Sequence, residues 1–374
     1  MTTYTQGTPR AACRWSSRLG LLALTLLSAS SGKAGSVSDL GAAADEVVLA
    51  RAIEWSVESG GEARIVLQVD KGLFKGDLDA GTTVSAVADL RGPTASKRVR
   101  SASPLGIWFL RRDGESWRVL PARGGRQIEF DELYYKPEGS GSETLGRASS
   151  EEDIVVSAAR GLLASDSHPW FIREAIGSYD SPGVRELLRG MSRDTDPARI
   201  GVGLSELLKR GDVAALGQLP QYDVILRSGA GGLGPVVPEA IRSFFRNTDP
   251  DAIAALAEIA KDKALSDGLR HAAAHSLAWM HTRESVPHLA ALLDDESPEL
   301  KQSAVIGLSF FANGVGVQLP EDGPSMRYLN EAKPSEFSSS ETAKYLGFDE
   351  ERSDEFVAFW RDWWNQHRLD FPTN

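Results

Sequence analysis

One block of this sequence recurs at a fixed offset, and that constrains the fold more than any other feature. Leu269-Arg270-His271-Ala272-Ala273-Ala274-His275-Ser276-Leu277 lines up with Leu300-Lys301-Gln302-Ser303-Ala304-Val305-Ile306-Gly307-Leu308, so that position 269 recurs at 300. A leucine, a base, small residues and a second leucine repeated in register mark stacked helical hairpins rather than a single globular core. Stacks of this kind usually hold a partner and perform no chemistry.

The flanking sequence extends the helical pattern. Ile154–Leu163, Trp170–Tyr179, Gly183–Met191, Pro197–Leu208 and Val213–Leu219 read as short amphipathic helices. Ile241–Phe245, Ala252–Ala260, Leu269–Met280, Val286–Leu293 and Leu300–Phe311 continue the series. Four starts carry an acid or hydroxyl before proline: Asp180-Ser181-Pro182, Thr195-Asp196-Pro197, Thr248-Asp249-Pro250 and Glu296-Ser297-Pro298. Proline suits a first helical turn, where its missing N–H leaves no hydrogen bond unmade.

Leu269–Phe311 resembles HEAT repeats of the bacterial type related to phycobilin-lyase repeats. In that pattern the conserved block lies on a first helix, and a second begins near Val286 and runs through Leu289 and Leu292. The resemblance implies a curved helical stack with one concave face and does not imply lyase activity. It predicts HEAT-like repeats over 151–345, closed by an aromatic capping helix over 346–374. Phe356, Phe359, Trp360, Trp363, Trp364 and His367 form that helix's stripe. Gly314–Ser340 would join stack and cap as a long loop.

Residues 36–135 follow a different period. Val47–Val57, Ala63–Val69, Thr82–Val87, Ile107–Leu110 and Ser116–Leu120 read as strands, divided by Gly60-Gly61, Asp79-Ala80-Gly81, Gly92-Pro93 and Asp113-Gly114. They predict a small all-β barrel or sandwich, giving an α+β chain of two domains. This segment weakly resembles the five-stranded, OB-like barrel of netrin-like and tissue-inhibitor domains. It lacks their cysteines, so no protease-inhibitor role carries over. Residues 136–150, centred on Gly139-Ser140-Gly141-Ser142, read as a linker.

Residues 1–34 read as a signal peptide. Arg10, Arg14, Arg18 and Lys33 accompany no acid, and Leu19–Leu27 forms a short apolar run followed by small residues. Ala34 or Ser30 would be the last residue removed, and loss of those four bases would take the formal charge from −11 to −15. The expectation is an exported protein, periplasmic or secreted, with no transmembrane segment in its mature chain. The one cysteine, Cys13, precedes the apolar run, so disulfides, thiolate chemistry and a lipid-anchored cysteine are excluded from the exported part.

Few constellations point to chemistry. His271 and His275 share a helical face at i, i+4 spacing and are weak candidates for a metal, but Ala272-Ala273 replaces the glutamate of a metalloprotease motif. In the repeat register both occupy variable, outward positions. Arg91–Arg126 holds nine bases against Asp113 and Glu115, and its Arg98, Arg100, Arg111 and Arg112 are candidates for binding an anion or a partner. Gly229–Gly234 lacks the preceding strand and lysine of a phosphate loop. Asp294-Asp295-Glu296 lacks the alternating oxygen ligands of a calcium loop. With 41 bases to 52 acids, nucleic acid is not expected. The reading is a non-catalytic interaction protein without a cofactor, whose helical surface binds a protein. The alternative is a β domain that binds an anionic envelope polymer or lipid.

Overall fold

The computed structural model describes residues 36–57, 62–73, 75–90, 105–121, 134–135, 150–164, 168–227, 236–315 and 335–372. The signal segment, most of the linker, Gly229–Gly234 and most of the Gly314–Ser340 loop lie outside them.

A short helix absent from the sequence reading, α1 (Val37–Ala43), opens the described chain. Ser36 and Asp39 build its capping box: the Ser36 hydroxyl accepts from the Asp39 amide, and the Asp39 carboxylate accepts from the Ser36 amide. Strands β1 (Glu46–Val57), β2 (Glu62–Gly72), β3 (Thr83–Asp89), β4 (Gly106–Asp113) and β5 (Ser116–Leu120) follow. They close into a barrel in the order β1-β2-β3-β5-β4, which decides between barrel and sandwich. The β3–β5 pair is parallel and the others are antiparallel. Closure requires a strand that can serve two neighbours. β1 does so by pairing with both β2 and β4, bent by register shifts at Leu49/Ala50 and Ala52/Glu54.

Alternation along the strands separates two cores. Val48, Ala50, Ile65, Leu67, Val84, Ala86, Trp108 and Leu110 fill the barrel. Trp108 donates to the Ala50 carbonyl at 3.0 Å and stacks on Tyr134 at 4.7 Å. The opposite face of β1 and β4, Val47, Leu49, Ile107 and Phe109, is buried in the core of the helical half. This explains why β1 begins with an unbroken apolar run: that part of the strand has no wet side. The barrel's outer face is therefore part of the helices' core, while its interior forms a second one.

The helices are α2 (Glu151–Ala164), α3 (Pro169–Ile176), α4 (Pro182–Ser192), α5 (Pro197–Lys209), α6 (Val213–Leu216), α7 (Leu219–Arg227) and α8 (Val236–Arg242). Then come α9 (Pro250–Lys261), α10 (Asp267–Met280), α11 (Val286–Leu292), α12 (Pro298–Ala312), α13 (Ser340–Lys344) and α14 (Ser353–His367). All four proline-marked starts are N-capped by the expected residue, with Ser181, Asp196, Asp249 and Ser297 each accepting from a first-turn amide.

One pairing differs from expectation. The helix starting at Val286 packs mainly on the helix after it, so the hairpins are α9–α10 and α11–α12. α10 ends at His281, which adopts a left-handed conformation (φ 52°) usually taken by glycine. The repeat register itself holds: Leu269 and Leu300, Ala273 and Ala304, and Leu277 and Leu308 are all fully buried. Gly307 completes the fit, because a Cβ there would stand 2.8 Å from Ala278 Cα and 2.7 Å from Leu289 Cδ1.

Candidate interaction surface

Neighbour contacts sort the helices into two rows. In one, α3 packs on α5, α5 on α8, α8 on α10 and α10 on α12. The other contains α4, α6, α9 and α11, and α14 closes the end against α12 and α11. Among the described residues no helix is long and apolar enough to cross a membrane.

The α10–α12 part of the first row carries a cluster of histidines and aromatics. His271, His275 and Trp279 succeed one another at i, i+4 and i+8 on α10. The His275 ring centroid lies 5.8 Å from that of Trp279, which stacks on His281 at 6.2 Å. Phe310 of α12 meets Trp279 and His281 edge-on at 5.7 and 5.9 Å. His271 and His275 are thus half-buried among neighbours, whereas the repeat register alone placed them facing outward. The register compares sequence positions and does not show the neighbours, such as Trp279 beside His275, that cover them.

The same packing sets their electrostatics. Burial pushes His275 down to about 4, helped by the positive charges of Arg242 and His271 and opposed by Glu239. Burial likewise lowers His281 to about 4, offset in part by the Val315 backbone. His271 is lowered by burial and by Arg242, with Glu299 acting the other way. His275 Nδ1 is buried and makes no hydrogen bond among the described residues, and both ring nitrogens of His281 are buried beside the Val315 backbone. Such rings are stable only when neutral.

A pH dependence follows from that. Above 6.5 folded and unfolded chains both hold neutral rings. Between 6.5 and about 4 the unfolded chain gains protons that the folded chain resists. Stability is therefore expected to be full at neutral pH, to fall as pH drops through that window, and to level off below it. The loss should be on the order of 1–3 kcal/mol per ring. Urea unfolding at pH 7 and pH 4.5 checks this, because His275→Gln should flatten the dependence. An unchanged slope in the variant would assign the acid sensitivity to other groups.

As a metal site the pair is incomplete, since no group of three or more metal-ligating side chains occurs among the described residues.

Of the four candidate arginines, Arg98 and Arg100 lie outside the described residues. Arg111 and Arg112 are exposed, and as successive residues of β4 they point to opposite faces. Arg111 stands across from Arg118, which pairs with Asp113 at 3.2 Å. Arg112 lies over the Trp117 ring at 4.7 Å, and its backbone N–H donates to Asp45. The strand therefore does not gather these two side chains into one patch.

A polar site missed in the sequence sits where α3 meets α5. Glu206, buried at 5% side-chain exposure, accepts from Arg173 and Lys209 on Oε1 and from the buried Arg210 on Oε2, at 2.9, 2.9 and 2.8 Å. Arg210 also donates to the carbonyls of Gly177 and Tyr179. Gly177 has φ 54°, and a Cβ there would lie 2.4 Å from Ser36 Cβ, so this joint also supports α1. Only the i, i+3, i+4 spacing of Glu206, Lys209 and Arg210 hinted at the hub.

A barrel sealed onto a two-row stack of paired helices, with a half-buried aromatic face, defines a helical-repeat protein. Residues 238–309 match the family model for HEAT repeats, and they lie within the helical stack of the C-terminal half. Searches of curated proteins and of solved structures find no match.

Proposed function

We propose that this protein is a non-catalytic, exported interaction protein whose α3–α5–α8–α10–α12 row holds a protein partner. HEAT repeats commonly mediate contacts between proteins, and repeat stacks offer extended surfaces for them. Export is supported by the basic, then apolar, then small-residue order of positions 1–34. The observation that carries the docking reading is the Trp279–His281–Phe310 cluster, where half-buried rings are shared between successive repeats on one row. The barrel would add a second contact, and the facing Arg111 and Arg118 on one side of its β4–β5 hairpin support binding of an anionic envelope polymer or lipid there.

A photo-crosslinking residue at Gln302, beside this cluster in the repeat register, tests the main reading in intact cells. It should give a discrete adduct with one protein, while the same residue at Glu258 on α9 should give none. Trp279→Ala should remove the adduct. Equal labelling from both positions, or none from Gln302, would refute docking on this row.

A further inference from the structure

At the α3–α5 joint a single carboxylate serves three bases. Glu206 Oε1 is shared by Arg173 Nε and Lys209 Nζ, and Oε2 is taken by Arg210 Nη1. The next acid, Asp180, is held by Arg185 through contacts of 2.7 and 2.6 Å and comes no nearer to Arg210 than 3.9 Å. Asp180 is engaged chiefly by Arg185, so Glu206 is the one acid that Arg173, Lys209 and Arg210 share.

Arg210 is buried and its donors are occupied by carbonyls and Glu206. Arg173 and Lys209 differ from it: they are 27% and 30% exposed, and each has Glu206 as its one hydrogen-bonding or ion-pair partner among the described residues. The Nη groups of Arg173 and the other Nζ protons of Lys209 therefore retain donor capacity. They border a cleft of about 440 Å³ lined by Arg173, Gly177, Ser178, Glu206, Lys209 and Arg210. Trp170 holds the Arg173 guanidinium in place, with Cζ 4.4 Å from its ring centroid. A fixed guanidinium beside an ammonium, within a concave site of excess positive charge, matches the geometry of a carboxylate or phosphate group. The chain as a whole is acidic, with a net charge of −11, so a cluster of three bases stands out.

We infer that the α3–α5 cleft binds an oxyanion between Arg173 and Lys209, supplied by an acidic side chain of the docked protein. The source of the anion rests on the docking reading above, whereas the site itself does not. Calorimetry on the full chain at low ionic strength, with inorganic phosphate and with an N-acetylated tetraglutamate peptide as probes, tests it. Saturable binding is expected, weakened about ten-fold in Lys209→Gln with an unchanged circular dichroism spectrum. Arg173→Gln serves as the second variant, and Lys263→Gln, a remote exposed base, should bind as the parent does. Tighter binding of the peptide supports an acidic segment as the source, and tighter phosphate binding overturns that source while upholding the oxyanion site. No saturable binding of either probe, or equal weakening in Lys263→Gln, overturns the site. That result would leave crosslinking from Gln302 unaffected, so the two readings fail separately.

Discussion

Replacing Glu206 by alanine is expected to lower the unfolding free energy by about 3–5 kcal/mol, because it strands a buried guanidinium without its counter-ion. Arg210 is 7% exposed and cannot turn to water without leaving the carbonyls of Gly177 and Tyr179. Those carbonyls belong to the turn that joins α3 to α4, so the damage should spread to both helices and to the Ser36 contact at Gly177. Urea unfolding followed by far-ultraviolet circular dichroism measures the loss. Glu206→Gln keeps the shape and one acceptor oxygen, though its NH2 would face a donor, and should cost less than alanine. A loss below about 1 kcal/mol in the alanine variant, the scale of an exposed ion pair, would show that water replaces the carboxylate.

Trp360→Ala should be comparably severe, at about 3–5 kcal/mol, through the cavity it leaves under the cap. The indole is fully buried, its Nε1 donates to the Tyr345 carbonyl at 3.2 Å, and Phe359 and Trp363 pack edge-on at 5.1 and 5.5 Å. The removed surface faces the last hairpin, so the variant should also bind more of a hydrophobic dye and self-associate in size-exclusion chromatography. Trp360→Phe should recover most of the packing but not the hydrogen bond. A monomeric alanine variant of unchanged stability would show that α14 contributes little to closing the stack.

Periodic features were legible in the sequence. Short apolar and alternating runs between turn residues located all five strands, and proline with a preceding cap located four helix starts. What was missed has local physical causes. α1 is only seven residues long, and its Ser36–Asp39 capping box lay within small residues that read as a cleavage region. α7 was missed, because the helix read over Val213–Leu219 stopped where α7 begins. The hairpin pairing was inverted because the repeated block shows which helices are equivalent, not which neighbour each one packs on. The Glu206 hub joins side chains from positions 173 to 210, a separation that no single helix period reveals. Arg270 was legible as a repeat base, but only the fold shows it buried and paired with Asp295 at 2.6 Å.

The outer wall of the barrel, buried against α1 and the first helices, has a consequence for assembly. One end of the helical stack is stoppered by β-structure and the other by α14, so neither offers a bare terminal repeat on which another copy could continue the spiral. A protein that reads the repeats would then meet them along the flank of the stack, not at a terminal helix pair.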